Sequence, residues 1–236
     1  MKMPLVLLPG LMCDAGLWQR MRPELENIGP LTFGDLSQGS TVEEMADAVL
    51  VNCPPQFTLV GFSMGGFVAR AIARRVPQRV QRLILIATSS EADDPMQAEL
   101  KAAVAEMLQR TRGPFRGLGQ RAIELSLSRE HESDPQLKQQ ILDMSLRLGR
   151  DTYIRQLLMA RDSDSARLNA IRCPTLVVAA ADDRMRTLTE SQALAEAIPG
   201  ASLAILHDSG HMLPLEQPGP LAACLRDWLS ANVSLR

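Results

Sequence analysis

Short apolar runs alternate with amphipathic stretches along most of the chain. A continuous apolar run bounded by turn residues indicates a strand buried on both faces, the kind found in parallel sheets. Apolar residues spaced three and four apart between these runs indicate helices. The pattern predicts strands at 5–8, 31–33, 56–61, 82–87, 175–180 and 202–206. It predicts helices at 15–26, 42–51, 64–76, 188–198 and 218–231.

This alternation predicts an α/β fold with a doubly wound, mostly parallel sheet. The stretch 91–169 interrupts it, because it is poor in strand residues and rich in Ala, Leu, Gln, Arg and Glu. It predicts three to four helices with a glycine-rich break at 113–119. Ligands of open α/β sheets bind along the carboxyl edge of the strands. We therefore interpret this insertion, which precedes the strand at 175–180, as a helical cap over that edge. The predicted domains are a core at 1–90 and 170–236 and a cap at 91–169.

Composition narrows the possible partners. The 236 residues include 25 basic and 27 acidic side chains, a net charge of −2, and only 3% are aromatic. Few cations are therefore free to neutralise phosphates and few rings to stack on bases, which argues against a nucleic-acid partner. No apolar run approaches the ~20 residues that cross a bilayer, and the one near residue 5 is too short for a signal peptide. We expect a cytoplasmic protein without a membrane partner.

The cysteines are widely separated, at Cys13, Cys53, Cys173 and Cys224. They form no C-x-x-C pair and no cysteine–histidine cluster with zinc spacing, which favours reduced thiols packed as small apolar residues. Cys13 could be a nucleophile by residue type, but no histidine stands beside it in the sequence. We interpret it as structural or as part of a pocket wall. We expect neither a metal nor an organic cofactor.

The most informative segment is 61–66, which reads G-F-S-M-G-G between a predicted strand and a predicted helix. G-x-S-x-G in this context is typical of a nucleophile elbow, in which a sharp turn lifts Ser63 above the sheet. The glycines at 61 and 65 remove side chains that would clash across the turn. The N–H groups that open the helix favour a developing anion at the same place. The alternative is a glycine-rich turn with Ser63 as a helix cap.

A serine hydroxyl needs a general base. Among the three histidines, His211 follows the last predicted strand and so projects from the same edge of the sheet as Ser63. We predict that His211 is the base. His207 ends that strand and is expected to pack or to face solvent. His131 lies in an acidic part of the predicted cap and is expected to be a solvated surface group.

The base needs a carboxylate partner, and two candidates follow the strand at 175–180. Adjacent side chains diverge, so only one of Asp182 and Asp183 can face His211. We favour Asp183. The alternative is Asp182, which could instead cap the turn or pair with Arg184. The order Ser63, Asp183, His211 is the chain order of an α/β-hydrolase triad.

An acyl-transfer site also needs donors for the oxyanion. One predicted donor is the backbone N–H of Met64, the residue after the nucleophile. The other is the backbone N–H of Leu11, because Gly10 allows a tight turn after the first strand. The alternative is that the segment around Gly10 is an ordinary loop.

Three segments together resemble motifs of the α/β-hydrolase superfamily: G-F-S-M-G-G, A-A-A-D-D-R and S-G-H-M-L-P-L-E-Q-P. They are similar to its elbow, its acid turn and its catalytic-histidine segment, and the resemblance covers essentially the whole chain. It implies that the triad acid is Asp183. Pro9 stands where the family usually has His, and Ala180 where it usually has Gly. The chain begins at what would be the third of the usual eight strands, which implies a trimmed sheet of about six.

We therefore predict a serine hydrolase that cleaves carboxylic esters or related acyl compounds of small to medium size through an acyl-enzyme. The apolar composition of the cap favours an apolar pocket for this small-molecule acyl substrate. Three arginines near the cap's break could meet an anionic substrate, although surface charge is the favoured interpretation: Arg110, Arg112 and Arg116. One alternative is a cofactor-free lyase or synthase, or a C–C hydrolase, on the same triad. Another is a non-enzymatic small-molecule receptor. The oligomeric state is not readable from the sequence.

Overall fold

The computed structural model describes residues 2–231. Its strands are β1 (Leu5–Leu8), β2 (Leu31–Phe33), β3 (Phe57–Phe62), β4 (Val80–Ile86), β5 (Thr175–Ala180) and β6 (Ser202–Leu206). Its α-helices are α1 (Arg22–Ile28), α2 (Val42–Val51), α3 (Met64–Arg75), α4 (Pro95–Arg110), α5 (Gln120–Ser126), α6 (Pro135–Leu158), α7 (Leu188–Ala197), α8 (Leu213–Glu216) and α9 (Pro218–Ala231). Two 3-10 helices span Ala15–Trp18 and Ser165–Ala170.

The six strands form one sheet in the order β2-β1-β3-β4-β5-β6, and every neighbouring pair is parallel. This confirms the predicted doubly wound sheet of about six strands. The sheet is buried on both faces, because alternate residues of a strand belong to different apolar clusters. Leu5 and Leu7 of β1 pack on the face covered by α1 and α9. Val6 and Leu8 pack on the face covered by α2, α3 and α7.

The strand order reverses between β1 and β3. These strands are neighbours, but β2 lies beyond β1 on one side and β4 lies beyond β3 on the other. The loops that leave their carboxyl ends therefore separate and open a crevice, which is where doubly wound sheets bind ligands. Ser63 and the turn at Gly10 follow these two strands directly.

The single helix predicted at 15–26 is wrong. The structure has the short 3-10 helix Ala15–Trp18, a turn, and then α1, which begins at Arg22. Pro23 occupies the first turn of α1, where its missing N–H costs nothing. Further inside a helix its ring would clash with the carbonyl four residues earlier, so one helix cannot run through it.

Between β4 and β5 the chain forms α4, α5 and α6, in the segment predicted as a cap. The predicted glycine-rich break lies between α4 and α5. Gly149, with a φ of 80°, interrupts α6 and leaves a separate final stretch before Leu158. The division into a core domain and a cap domain stays a prediction. Every helix within residues 2–231 is too short or too polar to cross a bilayer.

Candidate active site

Ser63 occupies a strained turn between β3 and α3. Its φ of 50° lies in the left-handed region, which is costly for a residue with a side chain. The turn is tight enough to require its glycines. A Cβ on Gly61 would lie 2.6 Å from the carbonyl oxygen of Gly65, and one on Gly65 would lie 2.5 Å from that of Pro9. The hydroxyl of Thr88 donates to the Ser63 carbonyl at 2.8 Å and helps to fix the turn.

The structure brings together the three side chains predicted as a triad. The Nε2 atom of His211 lies 2.8 Å from the hydroxyl of Ser63, and its Nδ1 atom lies 2.8 Å from Oδ2 of Asp183. The histidine side chain is 6% exposed and the aspartate side chain 2%, so water screens this chain of hydrogen bonds poorly. The imidazole also packs against the Phe62 ring, with centroids 5.2 Å apart.

The turn after β5 selects between the two candidate aspartates. The Oδ1 atom of Asp183 accepts hydrogen bonds from the backbone N–H groups of Met185 and Arg186, at 2.8 and 2.9 Å. This leaves its Oδ2 atom for His211. Asp182 is exposed, and its backbone N–H donates to the Ser209 carbonyl at 3.0 Å. Asp183 is thus the carboxylate that faces the imidazole, as favoured from the sequence.

The other two histidines lie apart from Ser63. His207 is exposed. His131 is not the solvated surface group that was expected: its side chain is only 26% exposed, and its Nδ1 atom lies 3.1 Å from a carboxylate oxygen of Glu216. The prediction rested on the acidic residues beside His131 in the sequence, which are typical of a solvent-exposed position. The carboxylate that contacts it instead comes from Glu216, 85 residues further along the chain.

Glu216 supports the loop of His211, a role the sequence reasoning did not assign. Its fully buried carboxylate accepts hydrogen bonds from the backbone N–H groups of Gly210 at 3.0 Å and Ser128 at 2.9 Å. It therefore joins the residue before His211 to the segment that follows α5. Its place in the catalytic-histidine motif was the only signal in the sequence.

The loop after β1 passes directly beside Ser63. Residues 10–13 form a turn closed by the hydrogen bond from the Cys13 N–H to the Gly10 carbonyl, at 3.2 Å. A Cβ on Gly10 would lie 3.2 Å from the Cβ of Ser63, so the two backbones are in close contact. Leu11 follows Gly10 in this loop, and Met64 follows Ser63 as the first residue of α3. The roles of these two N–H groups as oxyanion donors stay a prediction.

Leu11 also borders an apolar cluster formed with helices of the cap segment. Its buried members are Ala105 and Leu108 of α4 and Leu157 of α6. Partly buried side chains that pack against it include Phe115 and Tyr153. The neighbourhood of the predicted oxyanion loop is therefore apolar on the side that faces these helices.

Several other candidates lie outside this arrangement. Cys13 is buried; burial and the nearby charge of Asp14 raise the pKa of its thiol to about 12, so it carries little thiolate at neutral pH. Arg110, Arg112 and Arg116 are exposed. Within residues 2–231 the structure groups no three His, Cys, Asp or Glu side chains in a way that could hold a metal ion.

Comparisons with known proteins identify the fold of this chain. Residues 29–218 match a family model described as the alpha/beta hydrolase fold. A solved esterase from Thermogutta terrifontis, with malate bound, superposes with a TM-score of 0.86 at 29% identity and covers 98% of this chain and 90% of that one.

Two curated relatives are similar over almost their whole length. A pimeloyl-[acyl-carrier protein] methyl ester esterase from Aromatoleum aromaticum is 29% identical, with 94% of this chain and 96% of the relative covered. A putative carbamate hydrolase, RutD, from Klebsiella pneumoniae is 27% identical, with 96% and 91% covered.

Proposed function

Because this chain belongs to the α/β-hydrolase fold family, we propose that it is a serine hydrolase that cleaves carboxylic esters or related acyl compounds of small to medium size. The observation that carries this proposal is the pair of 2.8 Å contacts on either side of the His211 imidazole, one to Ser63 and one to Asp183. An imidazole between a hydroxyl and a buried carboxylate can remove the hydroxyl proton and bear the charge it gains.

Acylation begins when Ser63 Oγ attacks the carbonyl carbon of the substrate. Its proton passes to Nε2 of His211, and Asp183 stabilises the imidazolium that forms. The carbonyl oxygen becomes an oxyanion, which the backbone N–H groups of Leu11 and Met64 are proposed to hold. Collapse of this intermediate breaks the ester bond. His211 gives its proton to the leaving alcohol, and the acyl group remains on Ser63.

Deacylation repeats these steps with water. His211 removes a proton from the water molecule while its oxygen attacks the acyl-enzyme carbonyl. A second oxyanion forms at the same donors and then expels Ser63 Oγ, which regains its proton from His211. The products are the free carboxylic acid and the regenerated enzyme. Every step uses groups of this chain and water.

Esters are the substrate class that the relatives favour, since both esterases named above are similar over most of this chain. A carbamate, the substrate class in the RutD name, also presents an acyl carbon to a nucleophile. The apolar cluster beside Leu11 supports an apolar acyl or alkoxy group. The free thiols of the four cysteines fit the cytoplasmic location expected from the sequence.

The test compares hydrolysis of p-nitrophenyl acetate and butyrate by the wild-type protein and by Ser63→Ala. We expect the variant to lose about 10⁴-fold or more in kcat, because the nucleophile is absent. Its circular dichroism spectrum and melting temperature should stay close to those of wild type. Equal rates in the two proteins would overturn the assignment of Ser63.

A fluorophosphonate probe distinguishes the alternative functions. A serine hydrolase with an activated Ser63 should be labelled rapidly and lose its esterase activity in proportion. A folded protein that resists labelling would favour a lyase on the same residues. Rapid labelling with tight ligand binding but only a single slow turnover would favour a receptor.

A further inference from the structure

A side chain of α6 is hydrogen-bonded to the predicted oxyanion loop. The Oε1 atom of Gln156 accepts the backbone N–H of Met12 at 2.8 Å, and its Nε2 atom donates to the Leu36 carbonyl at 3.0 Å. Gln156 is 1% exposed and lies 144 residues from Met12 in the sequence. One amide therefore joins the loops that follow the neighbouring strands β1 and β2.

The chemistry of the two partners requires an amide. The Met12 N–H can only donate and the Leu36 carbonyl can only accept, so the side chain between them must do both. A carboxylate could accept from the Met12 N–H, but its second oxygen would repel the Leu36 carbonyl oxygen, since neither can donate. A methionine of similar length would satisfy neither and would leave two buried backbone groups unpaired, which is costly.

The turn that Gln156 holds is itself strained. Met12 has a φ of 54° at the third position of the turn 10–13, a position that favours glycine when φ is positive. A residue with a side chain is strained at such a φ, because its Cβ crowds the following carbonyl oxygen. An external hydrogen bond to the Met12 N–H stabilises the conformation against relaxation.

The residue between the two fixed points is Leu11. On one side, Phe62 and Ser63 lie so close to Gly10 that it has no room for a side chain. On the other side, the Met12 N–H is bonded to Gln156. The Met12 N–H is bonded to Gln156 and the Cys13 N–H to the Gly10 carbonyl, so neither of them competes with the Leu11 N–H, the donor predicted for a substrate oxygen beside Ser63. The direction of that N–H depends on both anchors.

The end of α6 is anchored as well. The Arg161 guanidinium donates to the backbone carbonyl of Gln156 at 3.1 Å, close to the end of the helix, where carbonyls lack helical partners. Leu157, the next residue, packs in the apolar cluster that Leu11 borders. Gln156 thus sits on a fixed support rather than on a free helix end.

We propose that Gln156 is a positioning residue for catalysis: through Met12 it sets the direction of the Leu11 N–H toward the oxyanion. It does not touch the reacting atoms. The inference rests on the proposed ester hydrolysis and adds that the segment predicted as a cap helps to build the oxyanion hole.

The test is Gln156→Met, with Arg155→Met as the matched control. Arg155 is the adjacent residue of α6 and also reaches the loop after β2, where its guanidinium donates to the Ser37 carbonyl at 2.7 Å. Both variants remove a hydrogen bond between α6 and the core, but only the first involves the oxyanion loop.

Loss of a whole oxyanion donor costs ~10²–10³-fold in kcat, so a donor misdirected in Gln156→Met should cost ~10–100-fold. KM should change less than about threefold, because the donor acts mainly in the transition state. Arg155→Met should keep kcat within about threefold.

A second readout separates positioning from general loosening. A trifluoromethyl ketone forms a tetrahedral adduct with the serine and needs the oxyanion donors, so its inhibition constant should rise in Gln156→Met by about the same factor as kcat/KM falls. Gln156→Glu keeps the acceptor for Met12 and should lie between wild type and Gln156→Met. Unchanged kcat and ketone affinity in Gln156→Met, or equal losses in Arg155→Met, would overturn the proposal.

A further variant keeps the proposal testable if Gln156→Met fails to fold. If Gln156→Met does not fold, Gln156→Asn takes its place, because its amide is withdrawn by ~1.5 Å and cannot reach both partners. If neither folds while Arg155→Met does, Gln156 is a folding residue and the proposal is overturned. A wild-type protein without esterase activity would instead contradict the proposed function, so the two failures are distinguishable.

Discussion

His211 has a different partner on each ring nitrogen, and this fixes its tautomer. The Asp183 carboxylate can only accept, so the proton of a neutral imidazole stays on Nδ1. The Nε2 lone pair is then free to accept the hydroxyl proton of Ser63. At the scale of single residues, the proposed activity therefore depends on a carboxylate at position 183 rather than on polarity alone.

Asp183→Asn should lower kcat by about 10³–10⁴-fold, because an amide can donate to Nδ1 and favours the wrong tautomer. Asp182→Asn is the matched control. Its side chain is exposed, and we expect kcat within about twofold of wild type. Steady-state hydrolysis of p-nitrophenyl butyrate measures both. Similar losses in the two variants, or a larger loss in Asp182→Asn, would reject Asp183 as the partner of His211.

The sequence could locate Ser63 and His211 because local rules mark both positions. Ser63 is marked by the glycines on either side of it, and His211 by its position in the loop that follows the last strand. The choice between Asp182 and Asp183 depended on how the turn bends, which the N–H groups of Met185 and Arg186 settle by binding one carboxylate oxygen.

At the scale of elements, the loop that carries His211 is fastened to the segment after α5. Glu216 accepts the N–H groups of both Gly210 and Ser128, and the Met212 N–H donates to the Ser126 carbonyl at 2.9 Å. These bonds hold His211 from both sides, although β6 lies three strands away from β3 in the sheet. His211 thus comes from the loop after β6, and the segment after α5 holds that loop in place beside Ser63.

Glu216→Gln should destabilise the protein by about 1–3 kcal/mol, since a buried amide can accept from only one of the two N–H groups and turns a donor toward the other. Urea unfolding followed by fluorescence measures the free energy of unfolding. Glu130→Gln, at an exposed position near the same segment, should change it by less than about 0.5 kcal/mol. Equal stabilities for wild type and Glu216→Gln would contradict the supporting role of this carboxylate.

Element boundaries were predicted correctly where a proline or glycine next to the element was taken as its limit. The helix predicted at 64–76 ends at Arg75, just before Pro77, and the strands predicted at 175–180 and 202–206 have those bounds in the structure. The helix predicted at 15–26 failed because its apolar spacing continues across Pro23, whose ring restricts it to the first turn of a helix. The proline, not the periodicity, decides where α1 begins.

At the scale of the whole molecule, a buried ion cluster joins parts of the chain that are far apart in sequence. Arg70 of α3 donates to both carboxylate oxygens of Asp164 at 2.8–3.2 Å and to the Ser89 carbonyl at 2.9 Å. Arg74 donates to the same carboxylate at 2.6 Å. The helix that begins at the elbow is thus fastened to the segment that follows α6.

This cluster predicts how stability depends on pH. Burial alone would raise the pKa of Asp164, but the hydrogen bonds and charges of Arg70 and Arg74 outweigh it and hold that pKa below its ordinary value. A depressed folded-state pKa contributes stability that is fully present above the unfolded value of ~3.9 and is lost as the pH falls through the folded value.

Asp164→Asn should therefore be less stable than wild type at pH 7, by roughly 3–5 kcal/mol, because it leaves a buried guanidinium uncompensated. The difference between the two proteins should narrow as the pH falls below ~4. Urea unfolding from pH 7 down to pH 3 measures it. Stability curves that stay parallel over this range would show that the carboxylate contributes no pH-dependent stability.

The long-range contacts mark the limit of what the sequence could predict. The α/β alternation predicted the sheet, and the sheet predicted which edge carries Ser63 and His211. The pairings of Gln156 with Met12 and of Glu216 with His131 join residues 144 and 85 positions apart. No local spacing rule connects such residues, because their contact depends on how the segment predicted as a cap packs on the core.

Ser63 is proposed to carry the acyl group during turnover, and hydrolysis of a hindered ester tests this role most directly. p-Nitrophenyl trimethylacetate should give a burst of p-nitrophenolate stoichiometric with the enzyme, because deacylation of the bulky acyl group is slow. Acid quenching and peptide mass spectrometry should then find one trimethylacetyl group, on the peptide that contains Ser63. An acyl group on another residue such as Cys13, or ester hydrolysis with no acylated peptide, would show that Ser63 is not the nucleophile.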